Sequence, residues 1–223
     1  MNRPYSIADR RPIATRKRRW AKSIAHALER GGVSPNAISV AGMIAGILAG
    51  ASLAATSFTA GIPQRTLWVI AAALVQFRLA CNMLDGMVAV EGGVASSVGE
   101  LYNEIPDRIS DAAVLIGLGY AAGGSATLGY VATILAIMTA YVRAQGKAAG
   151  APNEFCGPMA KPHRMFIVTL ASLAAALLPQ RIRQNAFDGC GIGTIALAII
   201  ALGCVVTLVR RLWRIAGALR GAP

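Results

Sequence analysis

Residues 82–111 of the chain read NMLDGMVAVEGGVASSVGELYNEIPDRISD. This acidic stretch holds six of the ten Asp and Glu residues in a sequence of 223 residues. The chain as a whole is apolar, since 55% of its residues are hydrophobic and only 14% are charged. Such a composition excludes a disordered acidic protein and is too apolar for a typical soluble domain. Ionisable residues in such a setting normally mark a functional site.

Long apolar segments lie on both sides of the acidic stretch and run through it. A helix needs about 20 residues to cross a bilayer core, and no charged residue occurs between Arg30 and Arg65. Turn-forming residues separate one apolar segment from the next. The predicted spans are residues 38–56, 66–90, 98–121, 126–146, 161–178 and 192–212. The sequence therefore predicts an all-α integral membrane protein with six transmembrane helices.

The segment before the first span is strongly basic. Within it, Trp20, Ile24 and Leu28 recur at helical spacing beside several Arg and Lys residues. This pattern predicts an amphipathic juxtamembrane helix that lies on the membrane surface and is attracted to anionic headgroups. A solvated basic tail is the alternative. We expect a basic segment with this surface helix over residues 1–33, a six-helix membrane domain over residues 34–215 and a short tail over residues 216–223.

The net charge of +12, from 22 basic and 10 acidic residues, would suggest nucleic acid as the partner of a soluble protein. Aromatic residues are scarce, however, and the basic residues cluster at the ends of uncharged runs, so we expect no nucleic-acid binding. With a cytoplasmic amino terminus, seventeen basic residues lie on the cytoplasmic side and three lie outside. The positive-inside rule thus predicts a multi-pass protein with both termini in the cytoplasm. We expect it in a bacterial inner membrane.

The polar residues of the acidic stretch fall on one face of each of two predicted helices. At about 100° per residue, spacings of three and four keep side chains together. The second span carries such a face at Arg78, Asn82, Asp85 and Ala89. The third span carries one at Glu100, Glu104, Asp107 and Asp111, with Asn103 at its edge. Because the connecting loop is short, both faces are expected near the same membrane interface.

Carboxylates that converge in a low-dielectric cavity repel one another unless they are protonated, paired with Arg or neutralised by a divalent cation. Oxygen ligands without nearby thiolate or imidazole favour Mg²⁺ or Mn²⁺ over zinc. Two other interpretations stay open for these faces. Arg78 and Arg108 could hold the helices together through ion pairs, or the polar residues could form a proton or cation pathway.

The acidic stretch resembles the signature of the CDP-alcohol phosphotransferase family. That signature reads D, two residues, D-G, two residues, A-R, eight residues, G, three residues, D, three residues, D. Asp85-Gly86, Ala89, Gly99 and Asp107 are in register with it. Asn82, Val90 and Asn103 stand where the family has Asp, Arg and Asp. An Asn can ligate a metal through its carbonyl but supplies no charge.

Two further segments extend the resemblance over nearly the whole chain. Residues 34–39, SPNAIS, are similar to the P-N-x-I/L-S/T entry to the first helix of the family. Tyr141-Val142-Arg143, together with Lys161 and Arg164, resembles the basic sites that family members use for the acceptor. Arg78 is a candidate replacement for the missing motif arginine.

The resemblance implies a two-metal site on the pyrophosphate of a CDP-linked donor, usually CDP-diacylglycerol. The expected ligands of Mg²⁺ or Mn²⁺ are Asp85, Asp107, Asn82, Asn103, Asp111 and Glu104. The expected catalytic residues are Asp107 and Asp111, one of which is the base. The nucleotide would contact Asn36, Gly86, Ala89 and Gly99. The acceptor or its phosphate would contact Arg143, Lys161, Arg164 and Arg78.

The function implied is that of a membrane phosphatidyltransferase in phospholipid biosynthesis. It would move the phosphatidyl group of a CDP-lipid to a small alcohol or phosphorylated alcohol and release CMP. Like its family, the protein is expected to be a homodimer embedded among membrane lipids. One alternative is a catalytically impaired protein of the same fold that binds CDP-lipid or nucleotide. A small ion- or proton-coupled transporter is the other.

Overall fold

The computed structural model describes residues 19–92, 97–187 and 189–221, and in these ranges all regular elements are helices apart from one isolated bridge between Phe187 and Cys190. A single 3₁₀ turn, Thr56–Phe58, follows the second helix. The α-helices are α1 Arg19–Arg30, α2 Pro35–Ala55, α3 Gly61–Glu91, α4 Ser97–Gly119, α5 Ala126–Ala148, α6 Lys161–Leu177, α7 Gln180–Gln184 and α8 Ile192–Arg220. The predicted all-α class is therefore confirmed.

Four helical segments of the described chain are long and apolar enough to cross a membrane: Pro35–Phe58, Gly61–Val90, Ala126–Ala148 and Ile192–Arg220. Helices α4 and α6 are not among these four. Helix α4 has 23 residues but contains four of the six acids of the acidic stretch, and α6 has only 17 residues. The prediction of six spans is thus confirmed only as far as four apolar helices of a membrane protein.

Local sequence signals explain where the helices of the site begin. The hydroxyl of Ser34 accepts a hydrogen bond from the amide of Ala37, and Pro35 occupies the first turn of α2. Both are favoured at a helix start, because Ser satisfies a free amide and Pro has none to satisfy. Helix α5 begins in the same way, with Ser125 accepting from the amide of Leu128.

Helices α2 and α4 approach until their backbones touch. A Cβ added at Gly50 would collide with the backbone of Ala113, and one added at Gly117 would collide with the backbone of Gly50. Small residues permit such close crossings between membrane helices, where van der Waals contact rather than hydrophobic burial drives association. This crossing brings the polar face of α4 against α2 and α3.

Helix α1, Arg19–Arg30, lies within the predicted basic segment and packs against α3. Ala21 and Ala25 are fully buried against the bundle, and Leu28 packs partly buried beside them. Trp20 and Ile24 are exposed. Residues 1–18, which hold most of the predicted basic segment, lie outside the described residues.

The core of the bundle lies between α2, α3, α4, α6 and α8 and includes the fully buried side chains of Trp68, Leu115 and Ile200. Many large apolar side chains instead face outward, among them Phe166 and Leu202, which are 62% and 70% exposed. An outer surface this rich in apolar groups suits contact with lipid rather than with water.

Candidate active site

A small cavity lies between α2, α3 and α4. Its lining residues are Ser39, Gly42, Met43, Arg78, Asn82, Asp85, Asn103, Pro106 and Asp107. The two helix faces predicted from the acidic stretch therefore meet, and α2 closes the space between them. Of the six expected metal ligands, Asn82, Asp85, Asn103 and Asp107 line this cavity.

Asp85 is held by neutral donors. The hydroxyl of Ser39 on α2 donates to Asp85 Oδ2 at 2.7 Å, and the amide of Gly86 donates to Oδ1. The residue is only 3% exposed. Ser39 belongs to the SPNAIS segment, but its role was not predicted, because the sequence does not show which helix faces Asp85.

Asp107 is the most heavily contacted residue of the cavity. The side-chain amide of Asn82 donates to both carboxylate oxygens of Asp107 at 3.0 Å and to Asn103 Oδ1 at 3.1 Å. The ammonium of Lys161, at the start of α6, donates to Asp107 Oδ2. Asp107 thus joins α3 and α6 to α4 through one carboxylate.

Asp111 lies one helical turn further along α4 and forms a buried double ion pair. Arg78 Nη2 donates to Asp111 Oδ1 and Arg164 Nη2 donates to Oδ2, both at 2.6 Å. Both arginines are 1% exposed and Asp111 is 2% exposed. Each oxygen of Asp111 is thus bound by a guanidinium, and Arg164 lies inside the bundle.

Glu104 also turns to arginines rather than to the cavity. Its carboxylate accepts from Arg108 at 2.6 Å and from Arg143, on α5, at 2.7 Å. The guanidinium of Arg143 stacks 5.2 Å from the ring centroid of Phe155. Glu104 does not line the described cavity, and its partner on another helix is Arg143. Of the two arginines considered for ion pairs between helices, Arg78 joins α3 to Asp111 of α4, whereas Arg108 pairs with Glu104 on its own helix.

The four residues expected to contact the nucleotide lie at one end of the bundle. Asn36 is in the first turn of α2, Gly86 and Ala89 are in the last turns of α3, and Gly99 is in the first turn of α4. Asn36 is exposed and Gly86 is buried. None of the four lines the described cavity, which lies deeper along the same helices.

The guanidinium of Arg78 has one nitrogen without a hydrogen-bond partner among the described residues. Arg78 uses Nε for the hydroxyl of Ser110 at 2.6 Å and Nη2 for Asp111 and the carbonyl of Asp107. Its Nη1 is buried and makes no hydrogen bond to any described residue. A buried guanidinium nitrogen without a partner is costly, so this group is suited to an anionic ligand in the cavity that Arg78 lines.

The donor set fits a single hard divalent cation better than two. Two carboxylates and two side-chain amides face the cavity, and all their candidate ligand atoms are oxygens, as Mg²⁺ and Mn²⁺ prefer. Among the described residues, no group of three or more His, Cys, Asp or Glu side chains could hold a metal. Two dedicated metal positions would require more carboxylates than the cavity contains.

Comparison with known proteins agrees with the signature. The family model for CDP-alcohol phosphatidyltransferase matches residues 32–214. The phosphatidylinositol phosphate synthase of Mycolicibacterium smegmatis is 27% identical over 201 residues, which cover 86% of this chain and 81% of the relative.

Solved structures of the Mycobacterium tuberculosis phosphatidylinositol phosphate synthase share the fold at 22% identity. The structure with CDP-DAG bound gives a TM-score of 0.68 and covers 89% of this chain and 94% of its own. The complex with manganese and citrate gives 0.69 and covers 88% of each chain. The family match favours an enzyme over the transporter alternative. With a signature in register, a family model that spans most of the chain and a shared fold, this protein belongs to the CDP-alcohol phosphatidyltransferase family.

Proposed function

We propose that the protein transfers the phosphatidyl group of a CDP-lipid, with CDP-diacylglycerol as the expected donor, to an alcohol acceptor and releases CMP. One observation carries this proposal: Asp85 and Asp107, the two signature carboxylates that the chain retains, converge on one cavity with Asn82 and Asn103. The CDP-DAG complex of the mycobacterial synthase, which has the same fold, supports the choice of donor.

A divalent cation would be held by the carboxylates of Asp85 and Asp107 with the carbonyls of Asn82 and Asn103. When bound, it would polarise the phosphoryl oxygens and stabilise the negative charge of the leaving CMP. Ser39 would fix the orientation of Asp85 through its hydrogen bond. The manganese complex of the mycobacterial synthase supports a divalent cation in this fold.

Asp107 is the proposed base. As the acceptor oxygen bonds to the lipid phosphorus, the bond from that phosphorus to the CMP oxygen breaks, and the hydroxyl proton passes to an Asp107 carboxylate oxygen. Asn82 and Lys161 hold this carboxylate in place. Asp111 acts as a positioning residue, because it orients Arg78 and Arg164 behind the cavity.

The acceptor proposed is a phosphorylated alcohol. Lys161 and the unpartnered Nη1 of Arg78 place cationic donors beside the proposed base, where a phosphate on the acceptor could be bound. The name of the mycobacterial relative, a phosphatidylinositol phosphate synthase, agrees with an acceptor of this class. Arg143, engaged with Glu104 on α5, has at most a peripheral part.

We also propose that α4 and α6 cross the membrane with the four apolar helices, which gives six spans over residues 34–215. The acids of α4 can be accommodated because Asp107 and Asp111 are buried and paired inside the bundle. Helix α1 would lie on the cytoplasmic membrane surface through Trp20 and Ile24, with both termini in the cytoplasm of a bacterial inner membrane. A homodimer through the apolar outer face completes the proposal.

The test is an acceptor screen with purified protein, labelled CDP-diacylglycerol and Mg²⁺, in which the lipid product is identified. We expect acceptor-dependent formation of a phospholipid together with CMP, and the strongest response with phosphorylated alcohols. A second candidate is a CDP-lipid-binding protein without turnover, which the two Asn substitutions favour. Tight binding of CDP-lipid with no CMP released for any acceptor would support that candidate and overturn the proposal.

A further inference from the structure

Six ionisable side chains lie at the base of the cavity and are here called the inner cluster. Ion pairs join five of them, Asp107, Asp111, Arg78, Lys161 and Arg164, and the sixth, Asp85, lines the cavity beside them and accepts from Ser39. Three carboxylates meet three basic groups, so the formal charges cancel within the protein. Because uncompensated charge is expensive in a low-dielectric interior, this cluster is electrostatically complete without a further cation.

The two amide side chains next to the cluster reinforce this balance. The nitrogen of Asn82 points at the carboxylate of Asp107 and also at Asn103 Oδ1. A cation would instead need oxygens directed at it. Hydrogen bonds from Asn82 thus engage both Asp107 oxygens and the carbonyl oxygen of Asn103.

Lys161 supplies the positive charge nearest to the cavity. Its ammonium contacts Asp107 directly, and its side chain is 13% exposed. A divalent cation that entered alone would meet this ammonium and leave an excess of two positive charges. The diphosphate diester of a CDP-lipid carries about two negative charges, so a cation that enters with it adds no net charge.

We infer that the free protein binds divalent cations weakly and takes one up together with the diphosphate of its donor, because Lys161 already neutralises Asp107. This inference rests on the proposed function for the identity of the donor. Binding of the cation and binding of the donor are then coupled, and each strengthens the other by the same factor.

The inference is tested by Mn²⁺ titration of the purified full-length protein in detergent micelles, with free Mn²⁺ followed by its electron paramagnetic resonance signal. Titrations are run with Mn²⁺ alone and with Mn²⁺ plus CDP-diacylglycerol, and protein-free micelles correct for binding by the lipid. We expect the donor to tighten Mn²⁺ binding at least about tenfold. Equal affinity with and without the donor would overturn the inference.

Two variants should restore cation binding to the free protein. Lys161→Met removes the competing charge, and Asn82→Asp adds a carboxylate that repels Asp107 until a cation separates them. Each should tighten Mn²⁺ binding without donor by about tenfold or more. Two control variants make the same charge changes outside the cluster: Lys147→Met at an exposed position of α5, and Asn185→Asp beyond the far end of α6. Neither should change the Mn²⁺ affinity of the protein.

The test uses two variants because one of them could fail to fold. Size-exclusion chromatography would detect a misfolded variant, and the other variant would still test the inference. If both variants fold and neither tightens Mn²⁺ binding, then Lys161 does not weaken cation binding by neutralising Asp107, and the inference is overturned. Because the readout needs no turnover, its failure is separable from failure of the proposed function. If the free wild-type protein binds Mn²⁺ tightly and also releases CMP when an acceptor is present, the inference is wrong but the proposed function stands.

Discussion

Asp85 and Asp111 are both buried carboxylates near the same site, but their hydrogen-bond partners differ in charge. The hydrogen bonds to Asp85 come from the hydroxyl of Ser39 and the amide of Gly86, which carry no charge. Each oxygen of Asp111 is bound by a guanidinium instead. Asp85 therefore lines the cavity with uncharged partners, whereas Asp111 joins α4 to the arginines of α3 and α6.

Asp111→Asn should destabilise the protein strongly, because Arg164 loses its carboxylate partner and Arg78 keeps only Asp107, at 3.5 Å. Removal of one partner from a buried ion pair typically costs about 3–5 kcal/mol. Glu104→Gln is the matched control, since the Glu104 side chain is 39% exposed and such pairs contribute about 0–1 kcal/mol. Denaturant or thermal unfolding in micelles measures the difference. Equal losses for the two variants would contradict the structural role of Asp111.

Ser39→Ala should lower activity with little effect on stability. Groups that orient a metal-binding residue typically contribute about 10–100-fold to activity or metal affinity, and Ser39 is the side chain that orients Asp85. Ser52→Ala is the control on the same helix, because the Ser52 hydroxyl donates to the carbonyl of Leu67, away from the cavity. Initial rates of CMP release compare the two. An unchanged rate in Ser39→Ala would show that the Ser39 hydroxyl is not needed to orient Asp85 for activity.

At the scale of helices, the close crossing of α2 and α4 sets the position of the site. Gly50→Ala should destabilise the protein by about 1–3 kcal/mol, because the added methyl would collide with the backbone of Ala113. Gly217→Ala, in α8, meets no atom within 4 Å and should be neutral or slightly stabilising. Unfolding temperatures of both variants test this, and a tolerated Gly50→Ala would mean that the helices can separate without cost.

Helical periodicity predicts which side chains share one face of a helix, but not which helix that face contacts. Spacing alone placed Asn82 with Asp85 and Asn103 with Asp107, and both pairs line the cavity. It could not show that Glu104 turns toward Arg143 on α5 or that Arg164 reaches Asp111. Periodicity fixes which side chains share a face, whereas the partner of that face depends on helix packing between residues 39 to 53 positions apart.

The length of the apolar segments predicts only part of the helical structure. Helices α2 and α5 begin and end close to the predicted spans, whereas α8 continues from the predicted end at residue 212 to Arg220. Helix α4 forms where predicted although its acids lower its hydropathy, because partners inside the bundle compensate them. On α1 the sequence identified the apolar stripe, but the small residues Ala21 and Ala25, rather than Trp20 and Ile24, face the protein.

Across the whole molecule, the positive charge divides between surface and interior. Most of the basic residues that produce the net charge of +12 lie at the ends of apolar segments. Arg78, Lys161 and Arg164 instead balance the acids of the inner cluster. The loss of two signature carboxylates, at Asn82 and Asn103, thus leaves three carboxylates and three basic groups in the inner cluster.

Acceptor-dependent release of CMP from CDP-diacylglycerol tests the central claim most directly. The wild-type protein with Mg²⁺ and a phosphorylated alcohol should release CMP, whereas Asp85→Asn and Asp107→Asn should each lose at least about 100-fold in rate while staying folded. Glu154→Gln is the control, because Glu154 contacts Cys156 and Arg214 outside the cavity. No CMP from the wild-type protein with any acceptor, or a near-normal rate in Asp107→Asn, would contradict the account.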